Sequence, residues 1–177
     1  MRAQSLASII TVVFLSLITF VKEGAAMSDF MLSSTAFQNN GSIPSKYTCD
    51  GSDINPPLAI ENIPSGTKSL ALIVDDPDAP MGTWVHWLVW NIAPNTNVIK
   101  ENDVPKGALL GLNDFRKQPY GGPCPPSGTH RYFFKLYALD TTLGLPAGAK
   151  KADIEKAMKG HVLAQTQIIG LYKRSGR

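Results

Sequence analysis

Short apolar runs recur along the chain, each bounded by Pro, Gly, Asn or Asp. Leu58–Ile60, Ser69–Val74, Val85–Ile92, Tyr132–Leu139 and Ala164–Tyr172 have the length and the β-branched or aromatic content of strands. In Tyr132–Leu139, period-two alternation sends Tyr132, Phe134, Leu136 and Ala138 one way and Phe133, Lys135, Tyr137 and Leu139 the other. Both sets are largely apolar, which predicts a central strand, and Leu70–Val74 reads the same way. Helix signals are few. Asp153 to Lys159 aligns Ile154, Ala157 and Met158, with Gly160 as a stop. One short helix near the C-terminus among many strands predicts a mostly β protein, an antiparallel β-sandwich, rather than alternating βαβ units. No repeat, low-complexity tract or linker divides residues 27–177, which are expected to form a single domain.

The first 26 residues follow a different pattern. After Arg2 there is no charge until Lys22, Leu6 to Val21 is an almost unbroken apolar run, and the segment exits through Gly24-Ala25-Ala26. A basic start, an apolar middle and a small-residue exit predict a secretory signal cut after Ala26. The run is also close to the shortest length that spans a bilayer, roughly 17 residues, so an uncleaved anchor is the second reading. Translation starting at Met27 is the third. Export is the expectation, with the periplasm or the exterior as destination.

Charge and composition narrow the classes. The 177 residues carry 17 Lys+Arg and 14 Asp+Glu, a net charge of +3, spread rather than clustered, which argues against nucleic acid as a partner. With 44% hydrophobic residues the chain can build a core. There are two cysteines, Cys49 and Cys124. In an oxidising compartment they could pair; the alternative is two independent buried thiols.

Three places combine unusual polar residues with stiff turns. Asp75-Asp76-Pro77-Asp78-Ala79-Pro80 follows the apolar strand directly, and three carboxylates so close together need donors to offset their repulsion. Trp84-Val85-His86-Trp87 puts Trp84 and His86 on one strand face and Val85 and Trp87 on the other. The segment from Tyr120 to Tyr132 is a Pro/Gly loop ending in His130 and Tyr132, which share a face. Glycines allow close approach to a ligand and prolines stiffen the rim, which is how a small anion pocket can be built. His161, past the helix end, reads as a polar group satisfying carbonyls, and Lys173-Arg174 with Arg177 reads as a solvated basic end.

Together these segments resemble the phosphatidylethanolamine-binding protein family, and most closely its bacterial branch, the Raf-kinase-inhibitor-like proteins of the YbhB/YbcL type. The resemblance rests on Asp76-Pro77-Asp78-Ala79-Pro80, on His86-Trp87 and on the block from Gly122 to Tyr132, and it extends over nearly all of residues 28–174. It implies two antiparallel sheets with a helix near the C-terminus, and a surface pocket for a phosphate-type anion or a phospholipid head group. By motif, the pocket positions are Asp76, His86, Gly122, His130 and Tyr132, with Trp84, Asp78 and Pro123 as wall or support. The resemblance also implies that imidazole N–H groups, the Tyr132 hydroxyl and backbone N–H near Gly122 donate to the anion, and that Cys124 is linked to Cys49. Relatives that inhibit kinases or a serine carboxypeptidase make such a target the partner alternative. Arg116-Lys117-Gln118-Pro119 departs from the bacterial pattern and adds positive charge before the loop.

The expected role is binding without catalysis, with no catalytic residue, cofactor or metal assigned. The different-class alternative is a hydrolase in which Asp76, His86 and His130 serve as acid, base or metal ligands. The sequence has no Gly-x-Ser-x-Gly elbow and no close His-x-x-x-His pair.

Overall fold

The structure, a computed structural model, describes residues 30–174. The expected signal or anchor, residues 1–26, lies outside the described residues. The strands are β1 (Met31–Ser33), β2 (Gly41–Ser42), β3 (Leu58–Glu61), β4 (Ser69–Asp76), β5 (Trp84–Ile92), β6 (Val98–Ile99), β7 (Leu109–Leu110), β8 (His130–Leu139) and β9 (Val162–Tyr172). A single α-helix, α1 (Lys151–Met158), precedes β9. Two sheets result, one ordered β1-β3-β6 and the other β2-β9-β8-β4-β5-β7. All pairings are antiparallel except the short β2–β9 contact, which is parallel and joins Gly41–Ser42 to Gly170–Leu171.

The two faces of the large sheet explain why its central strands are apolar on both sides. Leu70, Leu72, Val74, Trp87, Phe134 and Leu136 pack between the sheets against Leu32, Leu58, Ile60 and Ile99. Ala71, Ile73, Leu88, Trp90 and Leu139 pack on the opposite face beneath Ile154 and Met158 of α1. All eight residues of β4 are buried. At roughly 2 kcal/mol per buried Leu, Ile or Phe side chain, this double core fixes the strand ends that carry the polar residues.

The strands run further than the apolar pattern indicates. β4 continues through Asp75 and Asp76, and β8 begins two residues early, at His130, because ladder pairs persist there: Asp76 opposite Trp84, Asp75 opposite Phe133 and His130 opposite Tyr172. The helix starts earlier as well. Asp153 acts within its first turn, accepting the Lys150 backbone N–H at 3.1 Å, so it caps the helix rather than opening it.

Two tail expectations are corrected. His161 Nδ1 contacts Asp140 Oδ1 at 2.8 Å, so its side chain serves a carboxylate and not helix carbonyls. Arg174 is no loose solvated cation. Its guanidinium holds Asp50 at 2.6 and 3.0 Å, and Tyr172 donates to the same carboxylate at 2.8 Å. Among the described residues, no helix is long and apolar enough to cross a membrane.

Candidate functional site

Local backbone chemistry aims the central histidine. Val74 pairs with Trp87 and Asp75 with Val85, which leaves His86 as an extra residue on β5, a β-bulge. The bulge breaks the expected alternation: Val85 packs in the core beneath the helix and Trp87 in the core between the sheets. Trp84 and His86 nevertheless share a face, as expected, because both line one cavity. The backbone groups that the bulge frees are taken up by the neighbouring loop. The His86 carbonyl accepts from Gly121 N and from Asn113 Nδ2, each at 3.1 Å. The His86 ring donates Nδ1–H to the Gly121 carbonyl at 2.6 Å. Buried Asn113 also donates to Pro119 O at 2.9 Å and accepts from Lys117 N at 3.0 Å, so one side chain organises the whole 113–121 segment.

The three clustered carboxylates each find different partners. Asp75 meets Lys135 and Lys151. Asp76 Oδ2 lies 2.7 Å from His130 Nδ1, and Asp76 Oδ1 accepts the Asp78 N–H at 2.8 Å. Asp78 is forked by Arg131 through Nε at 2.9 Å and Nη2 at 2.7 Å. The Arg131 hydrogen bond holds the Asp78 carboxyl down at about 2. The like-charge repulsion inherent in the sequence is thereby offset within a single turn.

Asp76, Trp84, His86, Phe115, His130 and Tyr132 surround a cavity of about 180 Å³. His86 is gripped edge-on by two rings, Tyr132 at 5.2 Å and Phe115 at 5.3 Å. Burial is the main cause that pushes His86 below the ordinary imidazole value of 6.5, so its ring is neutral at pH 7. With Nδ1–H committed to Gly121, Nε2 of that neutral ring is an acceptor. Burial and the nearby Asp76 carboxylate push the Tyr132 phenol up, keeping it protonated. Its hydroxyl is buried, with Asp76 and the Cys124 backbone as polar neighbours, and meets no partner at full hydrogen-bond geometry among the described residues.

A Cys49–Cys124 disulfide anchors the far wall, with Cys124 itself lining the cavity. A family profile described as phosphatidylethanolamine-binding protein matches residues 33–173. The chain belongs to that family. It is 53% identical over 148 residues to a UPF0098 protein of Methanothermobacter thermautotrophicus, covering 81% of this chain and 98% of that one. Identity to a UPF0098 protein of Aquifex aeolicus is 52% over 163 residues, covering 88% and 93% respectively. Among solved structures, a phosphatidylethanolamine-binding protein homologue of Chlamydia trachomatis superposes with a TM-score of 0.81 at 39% identity, covering 84% of this chain and 99% of that one. Escherichia coli YbcL, a member of the same family, gives 0.78 at 30% identity, covering 82% and 99%.

Of the positions carried over from family motifs, Asp76, Trp84, His86, His130 and Tyr132 converge on the cavity, whereas Asp78, Gly122 and Pro123 do not line it. Asp78 braces the adjoining loop through Arg131. Gly122 gives its N–H to Asp53 Oδ1 at 2.7 Å, so that amide is already committed. Its hydrogen-for-side-chain economy serves packing: a Cβ there would lie 2.5 Å from the Tyr47 carbonyl oxygen. The Pro123 carbonyl accepts from Cys49 N at 3.1 Å. Sequence reasoning missed Phe115, Pro125 and Pro126 as wall residues. Phe115 carried a usable signal, an aromatic alone in a polar stretch between Asp114 and Arg116.

Proposed function

We propose that this protein binds the phosphate group of a small anion or phospholipid head group in the cavity between His86 and His130, and that its role is binding rather than turnover. One observation carries the reading. Both cavity histidines have Nδ1 committed to a protein acceptor, which leaves Nε2 of each as the nitrogen available to a ligand beside the unpartnered Tyr132 hydroxyl. Neutral His86 offers an acceptor there, and Tyr132 offers a donor. An anionic phosphate oxygen accepts from Tyr132, while His86 Nε2 accepts from the P–OH of a singly protonated phosphate monoester or, where the phosphate is a lipid diester, from the ammonium of an ethanolamine head group. The hollow holds one head group and leaves any acyl chains outside.

Export of the domain is part of the same proposal. Its supports are the signal-like residues 1–26 and a disulfide closing a separation of 75 residues, a feature of oxidising compartments.

The test is an NMR titration with inorganic phosphate and phosphoethanolamine, following the histidine ring signals. Saturable shifts at His86 and His130, with His161 unmoved, are expected. Shifts spread equally over all three rings, or none, would remove the pocket reading.

A further inference from the structure

β9 has one side that is largely without a partner strand. It pairs with β8 along its whole length, Val162–Tyr172. On its other side β2 takes only Gly170 and Leu171. The loop before β2 clamps Ile169: its N–H donates to Asn39 Oδ1 at 2.9 Å, and its carbonyl accepts Asn40 N–H at 2.7 Å. The Leu171 carbonyl likewise accepts Ile43 N–H at 2.7 Å. These bonds show which backbone groups face outward. With Ile169 and Leu171 turned away from β8, two-residue alternation turns Gln167 and Gln165 away as well, while Ala164, Thr166 and Ile168 bond to β8. The outward N–H and C=O groups of Gln165 and Gln167 have no partner among the described residues.

Strand edges are normally guarded by charge, proline or a bulge. Ala164-Gln165-Thr166-Gln167-Ile168 has no charge, no Pro and no Gly. A bulge does occur at Leu163, where Ala138 meets Ala164 but Leu139 meets Val162, and it lies just outside this window. Apolar surface flanks the edge. Val162 and Leu163 are 42% and 44% exposed, and β1, which comes close to β9 without pairing, leaves Met31 at 45%.

The window between the bulge and the Ile169 clamp is symmetric about Thr166, and that symmetry identifies the occupant. An antiparallel strand of the same sequence places Thr166 opposite Thr166 and Gln165 opposite Gln167. Hydroxyl and amide groups both donate and accept, so each is complementary to its own kind, and no like charges meet. In this register Leu163 of one copy falls opposite the clamped Ile169 of the other, and the bulge bends the chain away at that point.

We propose that β9 pairs antiparallel with β9 of a second copy of this chain, about a twofold axis at Thr166, joining two large sheets into one. Gln165 of each copy exchanges both backbone hydrogen bonds with Gln167 of the other, so every outward group in the window gains a partner. The cavities stay open. Thr166 lies opposite Leu136 in the middle of β8, whereas the cavity histidine His130 lies opposite Tyr172 at the strand end. So short a ladder gives a reversible, concentration-dependent dimer.

The experiment uses the full chain throughout, so residues 1–26 contribute equally to every variant. Sedimentation velocity over a concentration series should show the parent protein passing from monomer to dimer. The double substitution Q165K/Q167K sets like charges against each other across the axis and should weaken association about tenfold or more. Mixing it with Q165E/Q167E should restore a dimer containing one copy of each. Thr166→Cys should form an intermolecular disulfide under mild oxidation, because residues facing each other in such a non-hydrogen-bonded pair have Cα atoms about 4.5 Å apart. Val98→Cys, on the exposed edge of the small sheet, should not. Histidine ring spectra matching those of the parent protein report that each variant is folded. A parent protein that stays monomeric at every concentration overturns the pairing, even if it captures an unrelated extended peptide. So does a dimer that survives Q165K/Q167K undiminished, a mixture of the two charged variants that fails to associate, or equal cross-linking at positions 98 and 166.

Discussion

Asp75 and Asp76, neighbours in β4, send their carboxylates to opposite faces of the same sheet. Asp75, with no exposed surface, meets Lys135 Nζ at 2.8 Å and Lys151 Nζ at 2.6 Å on the side covered by α1. Asp76 meets His130 at 2.7 Å on the cavity side. One dipeptide thus fastens the helix and orients a cavity histidine, and the two roles can be separated by substitution.

Asp75→Asn should cost about 2 kcal/mol of stability. Breaking a fully buried ion pair typically costs more, but both lysines keep some contact with water, which reduces the penalty. Urea denaturation measures the loss. The phosphoethanolamine titration of the folded variant should match that of the parent protein, because Asp75 faces away from the cavity.

The pH dependence follows from His86. Its folded-state value lies below 6.5, so under acid conditions the unfolded ring takes up a proton that the folded ring refuses. Stability from this group is therefore complete above about 6.5 and declines as pH falls from there toward the depressed folded value. Ring-proton NMR should place the His86 midpoint below 6.5, and thermal melts should show stability rising with pH across that window. A His86 midpoint above 6.5 would contradict the burial argument.

Much of this architecture was legible in the sequence, and the omissions have physical causes. All five expected strands and the helix exist, because each buries a continuous apolar face that period-two or 3.6-residue patterns report. The apolar pattern stops at Val74 and starts at Tyr132, because polar side chains interrupt it while backbone pairing continues out to Asp76 and back to His130. The two-residue strands β2, β6 and β7 left no pattern, since partners distant in sequence define them. The parallel β2–β9 contact belongs to the same class. At the cavity, His86, His130 and Asp76 were visible as chemistry within family motifs. The bulge that aims His86 was invisible to a strict two-residue period, and the commitment of the Gly122 amide to Asp53 depends on a fold contact across 69 residues.

Tyr132→Phe separates folding from binding. The hydroxyl has no partner to lose among the described residues, so stability should change by no more than about 0.5 kcal/mol, or improve. Phosphoethanolamine affinity should fall roughly tenfold, equivalent to about 1.4 kcal/mol. Calorimetry on the same preparation gives both values, and unchanged affinity would remove the hydroxyl from the site.

Replacing both Cys49 and Cys124 by Ser should destabilise the domain by about 4 kcal/mol in the chain-entropy account, given a separation of 75 residues. Because Cys124 lines the cavity, ligand affinity should fall as well. Denaturation and titration of oxidised and reduced wild-type protein provide the same comparison without substitution.

The cavity-lining groups of this domain come from the ends of β4, β5 and β8 and from the loops beyond them, while the middles of those strands supply the double core. Packing and cavity shape therefore draw on different stretches of the same strands. Substitutions at rim positions such as Ala79, Phe115 or Pro126 can therefore reshape the hollow without disturbing the packing beneath, so one scaffold can be respecialised by inheritance one rim residue at a time.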